Sequence, residues 1–372
     1  MKSNFYICNN FGGNKVHSET ILNLAQKYSD VNHYVFVPYN NKITLEKNFI
    51  NSENLFVYYI YFYKFLKFFP LFKSFFIFFK ILFKCKRDNI EWGNGKILAY
   101  TFWSDGIIAL YFNLIFSTPF SVFVRVTDLS IFFKYGYHLR PLLYLIGKRS
   151  EYIYFPSLAL KKNYLKYSFL NKSINKLCFM PNSLNDFWLN NIFHFNNLIK
   201  VNKKILFVGS FDENKNLNQV FKACLSLHDS RKDFKLEFVG GSLNNIKTLC
   251  GINSIPDWVS ITEKINNKED LLLKYRESNI LLVPSFLETL GMVYLEAISQ
   301  GCFVIHSKNQ GIDYLFNDGF SYAVDPTNTQ EISCLLDKLL DKDFQLDSSS
   351  LKEKLNLFSS VNVINLYSRF FD

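Results

Sequence analysis

The sequence predicts an α/β protein made of two doubly wound, Rossmann-like domains. Short apolar runs of strand length alternate with helical patterns along the chain, and this order produces parallel sheets covered by helices. The alternation starts near residue 5 and again at residue 204, each time with a strand that leads into a glycine-containing loop. A length of 372 residues also favours two domains.

The first half opens as strand, loop, helix and strand. We predict strands at residues 5–8 and 34–37 and a helix at 18–28, with Gly12 and Gly13 in the first loop. The two glycines would either let the backbone approach a ligand or only permit a tight turn. They lack the full G-x-G-x-x-G pattern, so an NAD site is not supported. Further strands are predicted at 97–100, 121–126 and 151–156, and further helices at 103–116 and 158–165.

Residues 55–85 form an unusual segment that is rich in phenylalanine and lysine. Five lysines and Pro70 interrupt it, so it does not read as a membrane-spanning helix. After Pro70, three lysines share one predicted helical face and phenylalanines cover the rest, which favours an amphipathic helix in a membrane interface. The alternative is a core helix whose lysines reach solvent. The residues assigned to the membrane are Lys73, Phe76, Lys80, Phe83 and Lys84.

Composition and charge narrow the class of partner. With 49% hydrophobic and 20% charged residues, the chain has the composition of a folded protein. The net charge of +10 suggests an anionic partner. Because the lysines lie among apolar residues and form no nucleic-acid type of run, we expect membrane lipid rather than nucleic acid. Seven scattered cysteines without C-x-x-C, and no signal-peptide pattern, indicate a reduced cytoplasmic protein.

The second half opens with a predicted phosphate cradle. A strand at Lys204–Val208 leads to Gly209, Ser210 and Lys215, followed by a helix. A strand, a glycine loop and a helix start together present backbone amides to an anion. A lysine at a helix start opposes the helix dipole unless an anion lies between them, so Lys215 also indicates a bound anion. Strands are predicted at 234–239 and 258–262, and a helix at 269–277.

Residues 279–301 are the most informative stretch. A buried strand leads into a loop with Glu288, and a helix at 291–300 carries Glu296. At the carboxyl edge of a parallel strand, helix amides can hold a phosphate. The two carboxylates, eight positions apart, could then accept hydrogen bonds from hydroxyl groups beside that phosphate. The alternative is that both acids only favour the helix dipole.

These residues support a family resemblance. The order of proline, Glu288, Gly291, Glu296, Ala297 and a following strand resembles the E-x7-E signature of GT-B glycosyltransferases, specifically glycosyltransferase family 4 (group 1) of the surface-polysaccharide type. Residues 99–137 resemble the same enzymes more weakly. Many members carry a histidine motif after the strand there, whereas this chain has Arg-x-Thr-Asp.

The resemblance implies a GT-B fold whose two Rossmann-like domains face each other across a cleft. It implies an acceptor-side domain at 1–182, a nucleotide-sugar-binding domain at 183–354, and a C-terminal helix at 355–372 that crosses back to the first domain. The implied activity is retaining, metal-independent transfer of a hexosyl-type sugar. No cofactor or metal is expected, because the nucleotide-sugar is a co-substrate.

The resemblance also implies residue roles. Glu296 would bind the ribose hydroxyls and Glu288 the hydroxyls of the donor sugar. The residues implied at the donor diphosphate and the facing loop are Lys215, Ser210, Gly209, Gly291, Met292, Val293, Gly12 and Gly13. Ser210 stands where the family commonly has arginine, which should weaken diphosphate binding unless the serine hydroxyl or another cation compensates. Arg125 and Asp128 would orient acceptor or sugar, or would be a structural ion pair with a loop-capping aspartate.

The expected acceptor is a lipid-linked saccharide in cell-surface polysaccharide or lipopolysaccharide biosynthesis. The enzyme is then expected to be peripheral on the inner face of the membrane. The alternative is a catalytically inactive GT-B-like protein that binds a nucleotide or a partner at the membrane surface.

Overall fold

The computed structural model describes residues 3–11, 15–40, 53–92, 95–170, 174–193, 203–316, 319–342 and 348–371. The chain divides into two compact units. Unit 1 contains Met1–Pro156, Leu160–Ser183 and Ser360–Asp372, and unit 2 contains Ser157–Ala159 and Leu184–Ser359. Each unit is built on a parallel sheet with helices, so the prediction of two Rossmann-like α/β domains is confirmed.

Every strand pairing in the described chain is parallel. The strands are β1 (Ser3–Ile7), β2 (Asn32–Tyr39), β3 (Leu55–Tyr61), β4 (Gly95–Ala99), β5 (Phe120–Phe123), β6 (Ile153–Phe155), β7 (Leu177–Phe179), β8 (Lys204–Val208), β9 (Lys235–Val239), β10 (Val259–Thr262), β11 (Ile280–Val283), β12 (Phe303–Ser307) and β13 (Ser321–Val324). Unit 1 has the order β3-β2-β1-β4-β5-β6-β7, and unit 2 has the order β10-β9-β8-β11-β12-β13.

Both sheets have one point where the strand order reverses. It lies between β1 and β4 in unit 1 and between β8 and β11 in unit 2. Loops that leave two such strands diverge to opposite sides of the sheet and open a crevice at the carboxyl edge, where doubly wound proteins bind ligands. The fold therefore directs attention to the loops after these four strands.

The described helices connect the strands and cover the sheets. They are α1 (Lys15–Lys27), α2 (Pro70–Arg87), α3 (Gly106–Phe116), α4 (Arg140–Arg149), α5 (Leu158–Leu165), α6 (Asp186–Asn190), α7 (Leu217–Ser230), α8 (Leu243–Cys250), α9 (Lys268–Arg276), α10 (Met292–Ser299), α11 (Thr329–Leu340), α12 (Ser348–Asn356), α13 (Ser360–Leu366) and α14 (Ser368–Phe371). Within unit 1, α13 packs on α1.

Three local predictions differ from the structure. The sequence also predicts a helix at 312–316, but residues 311–315 form turns, and Gly311 and Tyr314 have positive φ values of 54° and 71° that a right-handed helix excludes. Residues 55–61 form strand β3 before the aromatic helix begins. The last predicted helix is divided at Tyr367 into α13 and α14.

Helix α2 is amphipathic, but Lys73, Lys80 and Lys84 do not extend away from the protein. Lys80 donates a hydrogen bond to the Tyr61 carbonyl at 2.9 Å, and Lys84 pairs with Asp88 at 3.3 Å. Burial lowers the pKa of Lys73. The three lysines therefore lie against unit 1 instead of forming the exposed face that the sequence predicted.

Phenylalanines form the exposed face of α2 and of the 3-10 turn before it. Phe83 is 71% exposed, whereas Phe76 is partly buried against the core. We call the exposed set the aromatic surface; it consists of Tyr63, Phe65, Phe68, Phe69, Phe72, Phe75, Phe79 and Phe83. No helix within the described residues is long and apolar enough to cross a bilayer.

Candidate functional site

The candidate site in unit 2 lies where the strand order reverses. The loop at residues 209–216 follows β8, and the loop at 284–291 follows its neighbour β11. The two loops leave the same edge of the sheet. Sequence-distant residues from both loops are therefore expected to meet there, and they do.

Two asparagines join these loops. The Asn214 side-chain amide donates to the Leu287 carbonyl at 3.0 Å, and the Leu287 amide donates to the Asn214 Oδ1 at 3.0 Å. Asn216 donates to the Pro284 carbonyl at 3.1 Å from a left-handed conformation with φ of 59°, which asparagine tolerates better than most residues. These bonds fix the position of the lysine between the two asparagines.

That lysine, Lys215, forms an ion pair with Glu288. The Nζ–Oε2 distance is 2.6 Å, and the two side chains are only 19% and 14% exposed. The Glu288 amide donates to the Gln310 Oε1 at 3.1 Å. A Cβ added at Gly291 or at Gly311 would lie 3.2 Å from the Glu288 Cγ. The two glycines thus leave the space that the glutamate side chain occupies.

In the predicted phosphate cradle after β8, the Ser210 hydroxyl, which was expected at the donor diphosphate, bonds to a neighbouring side chain. The Ser210 hydroxyl donates to the Asp212 Oδ2 at 2.5 Å. The other oxygen of Asp212 accepts from the Lys215 amide at 3.1 Å and caps the 3-10 turn Glu213–Lys215. Ser210 is exposed, so its hydroxyl could exchange this partner for a ligand. Gly240 packs closely against the backbone of Gly209. A Cβ added at Gly240 would collide with the Gly209 carbonyl oxygen.

Glu296 lies in the second turn of α10 in mostly buried surroundings. The Tyr275 hydroxyl donates to its Oε2 at 3.1 Å. Burial raises the pKa of Glu296 from 4.5 to about 7. The helix begins at Met292 after Gly291, whose φ is 78°. The amides of the first turn, including that of Val293, have no partner within the helix and carry the positive end of its dipole.

Asp128 in unit 1 is held by the backbone. Its carboxylate accepts hydrogen bonds from the amides of Arg125 at 2.8 Å, Phe102 at 3.0 Å and Trp103 at 3.0 Å. The residue is 1% exposed, and burial raises its pKa to about 6 despite these bonds. This geometry favours the loop-capping role over direct contact with a substrate.

Arg125 is also engaged within unit 1. Its Nε donates to the Tyr100 carbonyl at 2.9 Å, and its guanidinium lies 4.7 Å from the centre of the Phe123 ring. Burial lowers its pKa. Gly12 and Gly13, the other candidates in this half, lie outside the described residues.

Comparisons with known proteins agree with this architecture. The family model described as Glycosyl transferases group 1 matches residues 190–355, which contain the site in unit 2. Among solved structures, the chain is similar to a sucrose-phosphate synthase from Thermosynechococcus elongatus, with 15% identity, a TM-score of 0.73, and coverage of 100% of this chain and 98% of the other. It is also similar to HepE from Anabaena in complex with UDP and glucose, with 14% identity, a TM-score of 0.68, and coverage of 100% and 99%.

A glycosyltransferase from Rickettsia africae gives 14% identity and a TM-score of 0.67, with coverage of 100% and 97%. The fold is GT-B. The fold and the family match together indicate a glycosyltransferase. No curated protein sequence matches the chain.

Several residues of the candidate site in unit 2 were not predicted from the sequence. Gln310 and Gly311 follow β12, the neighbour of β11, and so reach the same sheet edge as Glu288. The position of this loop directly after the strand next to β11 could have indicated, from the sequence, that both residues belong to the site. Tyr275, the partner of Glu296, lies on α9 and has no local motif that marks it.

Proposed function

We propose that this protein is a retaining glycosyltransferase of family 4 that transfers a sugar from a nucleotide-sugar to a saccharide acceptor. The observation that carries the proposal is the pairing of Lys215 with Glu288 at the reversal point of the unit 2 sheet. A cation for phosphate and a carboxylate for hydroxyls lie side by side there. A sugar diphosphate presents these two groups next to each other.

The ion pair suits a site that exchanges partners on binding. A lysine ammonium has three donors, so Lys215 can keep one bond to Glu288 while it binds a diphosphate oxygen. Glu288 can accept hydrogen bonds from the donor sugar with its second oxygen. The first-turn amides of α10 add further donors at the positive end of the helix. Glu296, one turn further on, would accept from the ribose hydroxyls.

The proposed reaction breaks the bond between the anomeric carbon and the diphosphate oxygen. The bonding electrons leave with that oxygen, and Lys215 with the α10 amides stabilises the growing negative charge. An acceptor hydroxyl forms the new bond to the anomeric carbon on the same face. Its proton passes to the leaving nucleoside diphosphate. This route assigns no step to a metal ion or to a covalent enzyme intermediate.

We further propose a lipid-linked acceptor at the inner membrane surface, in the assembly of a cell-surface polysaccharide or lipopolysaccharide. The aromatic surface supports this, because Phe68, Phe72 and Phe83 are 82%, 71% and 71% exposed. Large exposed apolar surfaces mark contacts with proteins or membranes. The charge around the surface favours a membrane of anionic lipid.

That charge is mostly positive. Residues 63–87 contain no acidic residue, and Asp88 directly after them pairs with Lys84 and Arg87. The exposed lysines lie at the two ends of the segment and are Lys64, Lys67 and Lys86. Cations beside exposed aromatic rings are typical of an interfacial helix, in which the rings enter the acyl boundary and the cations meet headgroups.

A turnover screen tests the proposed activity. The full chain is incubated with a panel of nucleotide-sugars and a detergent-dispersed total lipid extract of the source cells as acceptor, in the presence of EDTA, and release of nucleoside diphosphate is measured. UDP-sugars come first, since the similar HepE structure holds UDP and glucose. We expect turnover of one donor with the wild type and at least a hundredfold loss in Glu288→Gln. If donors bind but none is turned over, the protein is an inactive GT-B-like binder and the proposal is wrong.

A further inference from the structure

A third loop of unit 2 holds the backbone of Glu288. Residues 309–314, which we call the clamp loop, come shortly after β12, the strand next to β11. The Glu288 amide donates to the Gln310 Oε1 at 3.1 Å, and the Gly311 amide donates to the Glu288 carbonyl at 3.1 Å. One loop therefore binds both backbone polar groups of Glu288. It does so from the β12 side, whereas Lys215 belongs to the loop after β8.

The carboxylate of Glu288 is held as well as its backbone. Its Oε2 accepts from the Lys215 Nζ at 2.6 Å, and its Oε1 accepts from the Thr289 amide at 3.1 Å. The clamp loop also limits the side chain, because a Cβ added at Gly311 would lie 3.2 Å from the Glu288 Cγ. A carboxylate oxygen has about two acceptor positions. The positions left for a ligand therefore point in fixed directions.

Side chains within the clamp loop close it on itself. Asp313 accepts from the Asn309 amide at 2.6 Å through Oδ2 and from the Tyr314 amide at 3.0 Å through Oδ1. The Tyr314 hydroxyl donates to the Asn309 Oδ1 at 2.7 Å. The Asp313 amide donates to the Gln310 carbonyl at 3.0 Å. Gln310 therefore extends toward Glu288 from a closed, internally bonded turn.

The backbone of the clamp loop is strained. Three of its six residues have positive φ, with values of 61° at Asn309, 54° at Gly311 and 71° at Tyr314. Glycine and asparagine adopt this conformation at little cost, but a bulky aromatic residue does not. Tyr314 is 36% exposed, so its ring gains less from burial than a core residue would. Strain of this kind concentrates at functional sites, which favours a loop shaped to hold Glu288.

We propose that the clamp loop determines the selectivity for the donor sugar, with Gln310 as the positioning residue of Glu288. This inference rests on the proposed transferase function, in which Glu288 accepts hydrogen bonds from the hydroxyls of the donor sugar. Gln310 acts through Glu288 and does not itself need to touch the sugar.

Fixed position produces selectivity because epimeric sugars differ in the direction of a single hydroxyl. A carboxylate held in one place accepts a hydrogen bond from the correct epimer and leaves the hydroxyl of the other epimer unpaired. A carboxylate that can move accommodates both. Sites built to bond a substrate hydroxyl discriminate strongly for this reason, and small displacements of a positioned group are enough to remove the effect.

A purely structural role of the loop makes a different prediction. Among the described residues, the side chain of Gln310 bonds only to Glu288. Loss of this bond should therefore affect sugar recognition and leave binding of the nucleoside diphosphate, at Glu296 and the α10 amides, unchanged. A loop that only stabilises unit 2 would instead affect both halves of the donor together.

Donor kinetics with epimers test the proposal. The donor from the turnover screen is compared with a set of its epimers, one for each ring hydroxyl, with the same acceptor extract. The largest ratio of kcat/KM between donor and epimer measures selectivity. Gln310→Met keeps the length of the side chain but removes the acceptor. We expect the ratio to fall at least fivefold, while the Kd of the free nucleoside diphosphate stays within twofold of wild type.

Lys308→Met is the matched control. Lys308 directly precedes the clamp loop but pairs with Glu331 at 2.6 Å, so this variant should have the selectivity of wild type. Asp313→Ala is a second test variant, which keeps Gln310 and opens the closed turn. It should lower selectivity at least threefold, again with unchanged nucleoside diphosphate affinity.

The outcomes separate the inference from the function on which it rests. Unchanged selectivity in active Gln310→Met, or an equal loss of nucleoside diphosphate affinity, would overturn the inference and leave the transferase function intact. The same holds if the wild type uses all epimers equally well, or if neither Gln310→Met nor Asp313→Ala folds, since the loop would then serve stability. A wild type that turns over no donor would overturn the transferase function, and the inference with it.

Discussion

Two glutamates of the candidate donor site have different surroundings at the level of single residues. Glu288 has a cation, Lys215, at 2.6 Å. Glu296 accepts a hydrogen bond from a neutral donor, the Tyr275 hydroxyl, and burial raises its pKa to about 7. A residue kept in surroundings that disfavour its charge costs stability. Such a cost is typical of groups that serve a ligand.

The change Glu296→Gln tests that cost. Between pH 4.5 and about 7 the folded protein holds a proton on Glu296 that the unfolded chain has lost, so this group lowers stability as pH rises through that window. Above pH 7 the variant should be more stable than wild type by roughly 3 kcal/mol, since one pKa unit corresponds to about 1.4 kcal/mol and the pKa of Glu296 is raised from 4.5 to about 7. Urea unfolding at pH 5 and pH 8 measures the difference, which should be small at pH 5.

The same variant should bind the nucleotide-sugar at least tenfold more weakly, because an amide accepts hydrogen bonds from ribose hydroxyls less strongly than a carboxylate. A variant that is less stable than wild type at pH 8 would contradict the account of the buried carboxyl. Unchanged donor affinity would remove Glu296 from the proposed site.

At the level of elements, the start of α10 places its amides and Glu288 together. Gly291 has φ of 78°, and a Cβ there would collide with the ring of Tyr294. That ring cannot move easily, because its hydroxyl donates to the Val283 carbonyl at 2.7 Å and the residue is 1% exposed. The helix start is thus determined by packing as well as by backbone conformation.

Gly291→Ala should therefore reduce both stability and activity. We expect a loss of at least about 2 kcal/mol in the free energy of unfolding, from left-handed strain together with the collision. Gly251→Ala is the matched control: Gly251 ends α8 with φ of 67° and has open space around its Cβ. It should cost only about 1 kcal/mol and leave donor turnover unchanged. Equal effects of the two changes on turnover would contradict the role given to the α10 start.

The aromatic surface makes a separate prediction for α2 and the turn before it. Phe68→Ser with Phe72→Ser should reduce flotation with vesicles that contain anionic lipid by at least tenfold. Leu225→Ser with Leu273→Ser, exposed apolar residues elsewhere at 41% and 54%, is the control and should float like wild type. Absence of wild-type flotation would exclude the membrane proposal. Self-association in solution that the double phenylalanine variant abolishes would identify the surface as a contact between copies instead.

The sequence predicted most strands and helices to within a few residues, because apolar runs and the glycine after α10 mark their ends. Gly301 follows the C-cap residue Gln300 with φ of 73°, as a terminating glycine should. The exposed face of α2 was not predictable in the same way. Phenylalanine and lysine occur on several faces, and only the packing of β3 and the core determined that Lys73, Lys80 and Lys84 would lie against the protein.

For the whole molecule, both units place polar side chains at the point where strand order reverses. The prediction of two Rossmann-like domains located these edges, but it did not show which side chains meet. Lys215 and Glu288 are 73 positions apart in the chain, and Asp128 accepts from the amides of Phe102 and Trp103, which are 26 and 25 positions away. In both places, hydrogen bonds join groups that are distant in the sequence. These contacts follow from the tertiary fold and are not marked by a local sequence pattern.

The central claim is that the Lys215–Glu288 edge of unit 2 binds a nucleotide-sugar. Isothermal titration of the donor identified in the turnover screen tests it most directly, with wild type, Lys215→Met and the exposed-lysine control Lys222→Met on α7. Loss of one charge-assisted contact to phosphate should cost about 1.5–3 kcal/mol, which is about 10- to 150-fold in Kd. We expect that loss in Lys215→Met, and a Kd within twofold of wild type in Lys222→Met. Equal binding by all three proteins would contradict the claim.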